Sequence, residues 1–546
     1  MLFAGLRSAG PRGLQRRLYA ALRAAILGGT YPAGTRLPAT RALAAEAGVA
    51  RQTVVLVYER LLAEGYLVGR VGSGTYVSAS VGAAAGAQRL VPRPGTTTGP
   101  PPEQTVPATD GLLPADPPLD ASPAGSSETR LGGVPRSAWA SRALDAPERL
   151  WAAGAERPRF DFRPGVPDWT AFPHITWRRL LARRWRGAEA APALAQYGDP
   201  AGYRPLREAL ATYLGRSRGV RCDAGQIVVV SGSQQALDLL VRVCLNPGDA
   251  AAVENPGYPP ARAILSAAGV ATHLAPVDRE GLQVGALPAA GAGAPRLVYV
   301  TPSHQYPTGV TLSLARRLEL LEWAAGAGAL IVEDDYDSEL RYEGPPLPAL
   351  QGLDDRGCVA YVGSCSSVLF PPLRIGWIVA PPSLVRPLVA AKWLADRQTA
   401  TLDQLVLADF IADGHFTRHL RRSRRLYAAR RRALVAAVGR YLPPSCVLSG
   451  EAAGLQTPLD LPPDADEPAV VAAAVAQGVG VEPLAPCYGA PPHASAALTP
   501  RDGRRPGLLL GFAAVEEVGI DEGIRRLAAA VSSATSTTSY SRSRWA

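Results

Sequence analysis

Between Val81 and Leu150 the chain carries twelve prolines, set among Gly, Ala, Ser and Thr. Proline fixes φ and donates no backbone hydrogen bond. The segment also has too few large apolar side chains to offset the entropy of ordering it. It cannot lie inside a globular core, so it divides the 546 residues into separately folding parts. The reading that follows is a small N-terminal domain over 12–78, a flexible linker over 79–157, a large domain over 158–535 and a polar, disordered tail over 536–546.

The +10 net charge is concentrated in the small part, where residues 1–78 hold ten arginines against three glutamates. A basic small domain beside a nearly neutral large one points to a polyanionic partner for the former. The six cysteines are scattered, with no CxxC pair, which argues against a zinc site or a disulfide framework and fits a reducing compartment. No run of about 18 apolar residues exists to cross a membrane. The first residues lack a charged segment followed by an apolar one, so a cytoplasmic location is expected. No metal site is expected, since His415 and His419, four apart on a helix, have no third ligand in view.

In the small domain, Leu18, Leu22 and Ile26 fall at i, i+4 and i+8 on one helical face that stops at Gly28-Gly29. A short helix near Arg41–Glu46, a turn at Gly48 and a second helix over Arg51–Ala63 follow. "YLVGRVGSGTYV" then reads as two strands around a Gly-Ser-Gly turn. Helix–turn–helix plus hairpin is a winged helix–turn–helix, although the periodicity alone also admits a three-helix protein-docking domain. In the first case the N-terminal residues of the second helix, Arg51, Gln52 and Thr53, face base edges in the major groove. Arg41 then lies near the DNA backbone, and Gly72 and Gly74 let the wing approach phosphate.

The stretch "GTRLPATRALAAEAGVARQTVVLVYERLLAEGYLVGRVGSGTYV" closely resembles the DNA-binding domain of GntR-family bacterial repressors. The resemblance implies a double-stranded DNA operator as partner and puts Arg41, Arg51, Thr53 and Gly72 at DNA-contacting positions. Ala50 stands where that family often has a capping serine.

From about Phe160, short apolar runs ("QIVVVSG", "AAVENPG", "RLVYVTP", "ALIVEDD") alternate with helical stretches, the pattern of a parallel sheet with crossover helices. Polar residues gather at the carboxyl ends of those strands, where open α/β sheets bind ligands. After the first strand, Ser233 and Gln234 open a helix whose free N–H groups suit an anion. Tyr258 can stack on a flat ligand. Another strand, in "ALIVEDDYDSELRY", ends with Asp334, Asp335, Tyr336 and Asp337, where a carboxylate can hold a protonated ring nitrogen and a phenol a ring hydroxyl.

This constellation resembles the fold-type I aminotransferases, which use pyridoxal 5'-phosphate (PLP). Joined to a GntR domain by a linker, it resembles the MocR subfamily of regulators. The resemblance implies an α/β fold-type I domain that forms a homodimer and answers to an unknown small-molecule effector. It also implies that Ser233 and Gln234 meet the cofactor phosphate with Ser364, Ser366 and Arg374, that Tyr258 stacks on the ring, and that Asp334 and Tyr336 face the ring nitrogen and oxygen.

One position departs from the family. Its pattern Tyr-x-Gly-(Ser/Thr)-x-Ser-Lys-x-Leu-x-Pro-x-x-Arg-x-Gly is matched by "YVGSCSSVLFPPLRIG" except at the lysine, where Ser367 stands. That lysine forms the Schiff base and moves the proton in PLP chemistry, and serine does neither. The chain has a single lysine, Lys392, 25 residues further on in a helical stretch where a surface or interface role is expected. "GLLLGFAAV" places Leu509 where the family has an arginine for the substrate carboxylate, with Arg504 and Arg505 close by.

The expectation is a regulator without a catalytic residue, not an enzyme, whose large domain binds PLP non-covalently or not at all. The rivals are an active PLP aminotransferase, and a regulator that holds PLP or a PLP–amino acid adduct without a covalent link. The basic run Arg418–Arg432 is read as a solvated helix face.

Overall fold

The computed structural model describes residues 14–70, 74–79, 136–146, 158–186, 191–291, 293–344, 347–450, 452–489 and 505–542. The small domain folds as its periodicity dictates. Leu18, Leu22 and Ile26 of α1 (Leu14–Leu27) are buried together with Leu43 of α2 (Thr40–Ala47) and with Val54, Val57 and Leu61 of α3 (Arg51–Ala63). Gly48 closes α2 at φ 64°, a left-handed conformation that glycine adopts without strain. No side chain caps α3, whose N-cap is Ala50. The wing pairs β1 (Leu67–Arg70) with β2 (Gly74–Val77) in antiparallel register, Leu67 opposite Val77.

The winged helix rests against the large domain. Its apolar core is continuous with that of one side of the main sheet, including Leu314, Leu320 and Leu350. Arg23 Nη2 donates to the Gly352 carbonyl at 2.9 Å and Arg23 Nε to the Tyr66 hydroxyl at 2.8 Å.

The large domain opens with β3 (Phe160–Asp161). It then builds its main sheet from β4 (Ile227–Val230), β5 (Ala250–Asn255), β6 (Ala271–Asp278), β7 (Gly281–Leu282), β8 (Leu297–Val300), β9 (Leu330–Asp335), β10 (Val359–Ser364) and β11 (Gly376–Val379). The order is β4-β11-β10-β9-β8-β5-β6-β7. Only β11 and the short β7 run against their neighbours. β4, β8, β9 and β10 are buried along their whole length, as a sheet covered by helices on both faces requires. A second sheet follows, formed by β12 (Val447–Leu448), β13 (Gln456–Asp460), β15 (Glu482–Pro483) and β16 (Gly507–Gly511), while β14 (Val479–Gly480) pairs with β3.

Two expectations are corrected. Residues 136–146, inside the segment read as flexible linker, contain a helix, Ala138–Leu144, capped by Ser137 and tied to the large domain by Arg142 Nε donating to the Ala267 carbonyl at 3.1 Å. None of its residues is fully buried, and so short a helix holds because it is capped and has a surface to dock on. The tail from 536 was expected to be disordered, yet the last helix runs over Glu517–Arg542. Its packed first half, with Ile520, Ile524 and Leu527 fully buried, supplies the nucleus from which the Ser/Thr-rich remainder propagates.

Candidate cofactor pocket and DNA-reading helix

The strand ends of the main sheet converge on one cavity of about 320 Å³. Ser233, Gln234, Tyr258, Asp334, Tyr336, Ser364, Ser366 and Arg374 all line it, and so does Ser367. These residues span some 140 positions of sequence and meet because β4, β9 and β10 lie close together in the sheet.

At one end, Gly232 (φ 95°) precedes the helix Ser233–Cys244, whose first N–H groups are free to face an anion. A Cβ on Gly232 would come within 2.7 Å of the Arg374 guanidinium, so only glycine lets the arginine lie against this turn. Arg374, itself left-handed at φ 50°, donates to the Ser231 carbonyl. Ser364 and Ser366 are joined Oγ to Oγ at 3.0 Å. Helix N-terminus, hydroxyls and guanidinium together make a phosphate-sized cradle.

At the ring position, Asp334 Oδ2 accepts from the Tyr299 hydroxyl at 2.7 Å, and Oδ1 is buried with no partner. Burial pushes this carboxyl up to about 7. An orphaned buried carboxylate oxygen is expensive unless a donor reaches it. The protonated nitrogen of a pyridine supplies such a donor, so these residues fit the PLP ring. Tyr258 lies near parallel to Tyr299, centroids 6.4 Å apart, and edge-on to Tyr306 at 5.3 Å. The Tyr336 hydroxyl is 3.0 Å from His304 Nδ1, which also lies 3.0 Å from the Asp337 carboxylate.

Asp337, one of the carboxylates at the end of the Asp334 strand, also lines the cavity, as do Tyr299, Thr301, Tyr306, Gln456 and the Pro164-Gly165 turn, none of which was singled out from sequence. Tyr299, Thr301, Tyr306 and Asp337 lie in or just beyond the runs "RLVYVTP" and "ALIVEDD", which located the strand ends but not which side chains turn inward.

On the small domain, Arg41, Arg51 and Gln52 are exposed and Thr53 is half-buried at the start of α3. Gly72 lies outside the described residues. Gly74 (φ 114°) sits against Arg36, whose Nε would be 3.0 Å from a Cβ there.

The comparisons with known proteins agree with both halves. The family "Bacterial regulatory proteins, gntR family" matches residues 14–77, and "Aminotransferase class I and II" matches residues 168–487. The probable rhizopine catabolism regulatory protein MocR of Rhizobium meliloti is 37% identical over 95% of this chain and 93% of its own. The chain belongs to the MocR-type regulators of the GntR family. For the large domain of this MocR-type chain, the aromatic-amino-acid aminotransferase 1 of Thermococcus litoralis is 35% identical over 62% of the chain and 80% of its own length. The α-aminoadipate aminotransferase LysN of Thermus thermophilus, solved with N-(5'-phosphopyridoxyl)-L-leucine, superposes with a TM-score of 0.64 at 28% identity, covering 74% of this chain and 98% of that one.

Three further residues read from sequence are placed by the MocR-type fold. Lys392 is not at the surface: it is fully buried, and its Nζ bonds Asp396. Asp396 in turn accepts from Gln235, whose carbonyl holds the Ser231 N–H at 2.8 Å, so the lone lysine braces the phosphate turn from behind and does not line the cavity. His419 Nε2 bonds the Val368 carbonyl at 2.8 Å, and the His415 ring stacks on Phe410; among the described residues no group of His, Cys, Asp or Glu is set to hold a metal. Among the described residues no helix is long and apolar enough to cross a membrane.

Proposed function

We propose that the chain is a cytoplasmic transcription regulator that binds a double-stranded DNA operator through α3, dimerises through its large domain, and senses a small effector in a pocket holding PLP or a phosphopyridoxyl adduct without a covalent bond. The observation that carries the ligand part is the pairing of an orphaned Asp334 Oδ1 with Ser367 at the position of the family's lysine. The phosphate and ring contacts are kept, and the nucleophile is not. When bound, PLP supplies an aldehyde that condenses reversibly with amines. Around it, Ser364, Ser366 and Arg374 hold the phosphate, and Asp334 keeps the ring nitrogen protonated.

Dimerisation is supported by an exposed apolar cluster. Tyr197, Trp393 and Leu394 are 75%, 50% and 77% exposed, and the Arg397 guanidinium lies over both the Tyr197 and Trp393 rings. Contiguous exposed aromatics of this kind mark association surfaces. The winged helix is kept at 12–78 and the start of the large domain at 158, with the helix Ala138–Leu144 docked on it and its last helix running to Arg542. The rival, a working aminotransferase, draws on the 35% identity to an aminotransferase. Against it stands the burial of Lys392 in its bond to Asp396.

The test is an absorbance titration of purified protein with PLP and pyridoxamine phosphate, read beside calorimetry. Saturable binding of both, with no phosphopyridoxyl group left on the protein by mass spectrometry after borohydride, is the expected result. A stoichiometric phosphopyridoxyl adduct fixed on the wild-type protein by borohydride overturns the reading.

A further inference from the structure

Side chains on β16 alternate between two faces. Leu508 and Leu510 enter the large apolar core. Leu509 and Gly511 share the opposite face with their cross-strand partners, in the registers Gln456 opposite Gly511 and Glu482 opposite Leu509. Gln456 lines the cavity. The face that turns Gln456 toward the ligand therefore carries a buried, uncharged leucine beside it, 1% exposed.

Charge around the cavity has the same bias. Among the described lining residues Arg374 is the one arginine or lysine, and it stands at the phosphate end, bonded to Ser231. Asp334 and Asp337 are both carboxylates. Arg163, next to the lining Pro164, gives Nε and Nη2 to Asp161 at 2.7 Å each and is already paired. Lys392 is held by Asp396. Away from the phosphate, a ligand meets Tyr306, Ser367, Leu455, Gln456 and the Asp337 carboxylate, groups that accommodate an ammonium, a hydroxyl or an apolar chain. A carboxylate placed there is desolvated beside the Asp337 carboxylate, which His304 Nδ1 already meets at 3.0 Å, and finds no arginine or lysine among the described lining residues other than Arg374 at the phosphate end.

We infer that the effector of this pocket is a primary amine lacking an α-carboxylate, recognised as its phosphopyridoxyl adduct. This rests on the PLP-pocket reading above and adds the ligand class to it. Reduced phosphopyridoxyl adducts are stable secondary amines, so binding them requires no bond to form on the protein.

The experiment is calorimetry on the full-length protein with pyridoxamine phosphate and three matched reduced adducts, those of ethylamine, alanine and alaninamide. Ethylamine lacks the carboxylate, and alaninamide replaces it with a neutral group of equal size. The ethylamine and alaninamide adducts are expected to bind tighter than the alanine adduct by about tenfold or more, the order of magnitude for leaving one buried charge unpaired. An alanine adduct that binds as tightly as the other two, with pyridoxamine phosphate also binding, overturns the ligand class and leaves the PLP-pocket reading standing. Failure of pyridoxamine phosphate and all three adducts to bind brings down both. Leu509→Arg is expected to narrow the gap by restoring a cation, provided pyridoxamine phosphate still binds the variant. An unchanged gap in such a variant overturns the part assigned to Leu509, and the wild-type ratios decide the ligand class even where the variant does not fold.

Discussion

Tyr299 donates its hydroxyl to one oxygen of Asp334 at 2.7 Å and leaves the other oxygen of that carboxylate buried and unpartnered. In PLP-free protein the arrangement favours the protonated acid, and burial pushes the group up to about 7 from an ordinary value of about 3.9. Between those two values the folded chain holds a proton that the unfolded chain has released. Stability contributed here is therefore lost as the pH rises from about 4 to about 7. Asp334→Asn removes the titration, and its stability should fall less steeply over that window, by up to about 1.4 kcal/mol per pH unit. Urea denaturation of both proteins across the window checks this, and parallel slopes would show that Asp334 does not titrate there.

Ser367 decides the second prediction. Wild-type protein treated with PLP and borohydride should carry no adduct by mass spectrometry, and Ser367→Lys should carry one at residue 367. Efficient transamination should not return in that variant, because Leu509 offers no charge to a substrate carboxylate. A stoichiometric adduct on Lys392 of the wild type would contradict both the missing nucleophile and the buried Lys392–Asp396 bond.

Arg51, exposed at the first turn of α3, is expected to read a base. Arg51→Ala should cost about 1–3 kcal/mol of binding to the operator and blur its sequence preference. Binding of both proteins should weaken steeply with salt as counterions are released. Gel shifts on the upstream regions of its own and neighbouring genes test this. Equal binding by Arg51→Ala and wild type on every fragment would remove α3 from the recognition role.

A chain truncated to start at Pro135 keeps the docked helix Ala138–Leu144 and the pairing of β3 with β14. It should stay folded and sediment as a dimer, since the exposed Tyr197, Trp393 and Leu394 lie wholly within it. A monomer at micromolar concentration would assign dimerisation elsewhere. Trp393→Ala with Leu394→Ser in the same chain should weaken the dimer by about 2 kcal/mol or more if this cluster is its centre.

The boundary between the legible and the illegible follows the range of the interactions involved. Helix and strand identity in the winged helix came from local periodicity: Leu18, Leu22 and Ile26 on one face, Gly48 at the turn, a Gly-Ser-Gly wing. The strands ending at Val230, Asn255, Val300 and Asp335 were equally legible, because each is an apolar run closed by polar residues. Ser367 needed only a motif. Tertiary packing decided what periodicity does not encode. Tyr306, Asp337 and Gln456 join the pocket because the sheet order and β13 bring distant loops to one side. Lys392, in a helical stretch where a surface or interface role was expected, is buried because Asp396 pairs its charge, with Gln235 donating to the same carboxylate behind the turn at Ser231. The helix Ala138–Leu144 exists where a docking surface offsets its short length, and Arg23 finds its acceptor at Gly352, 329 residues away. A sequence specifies which local conformations are cheap. Which polar groups end up facing one another depends on contacts whose entropy of closure only the assembled sheet and core offset.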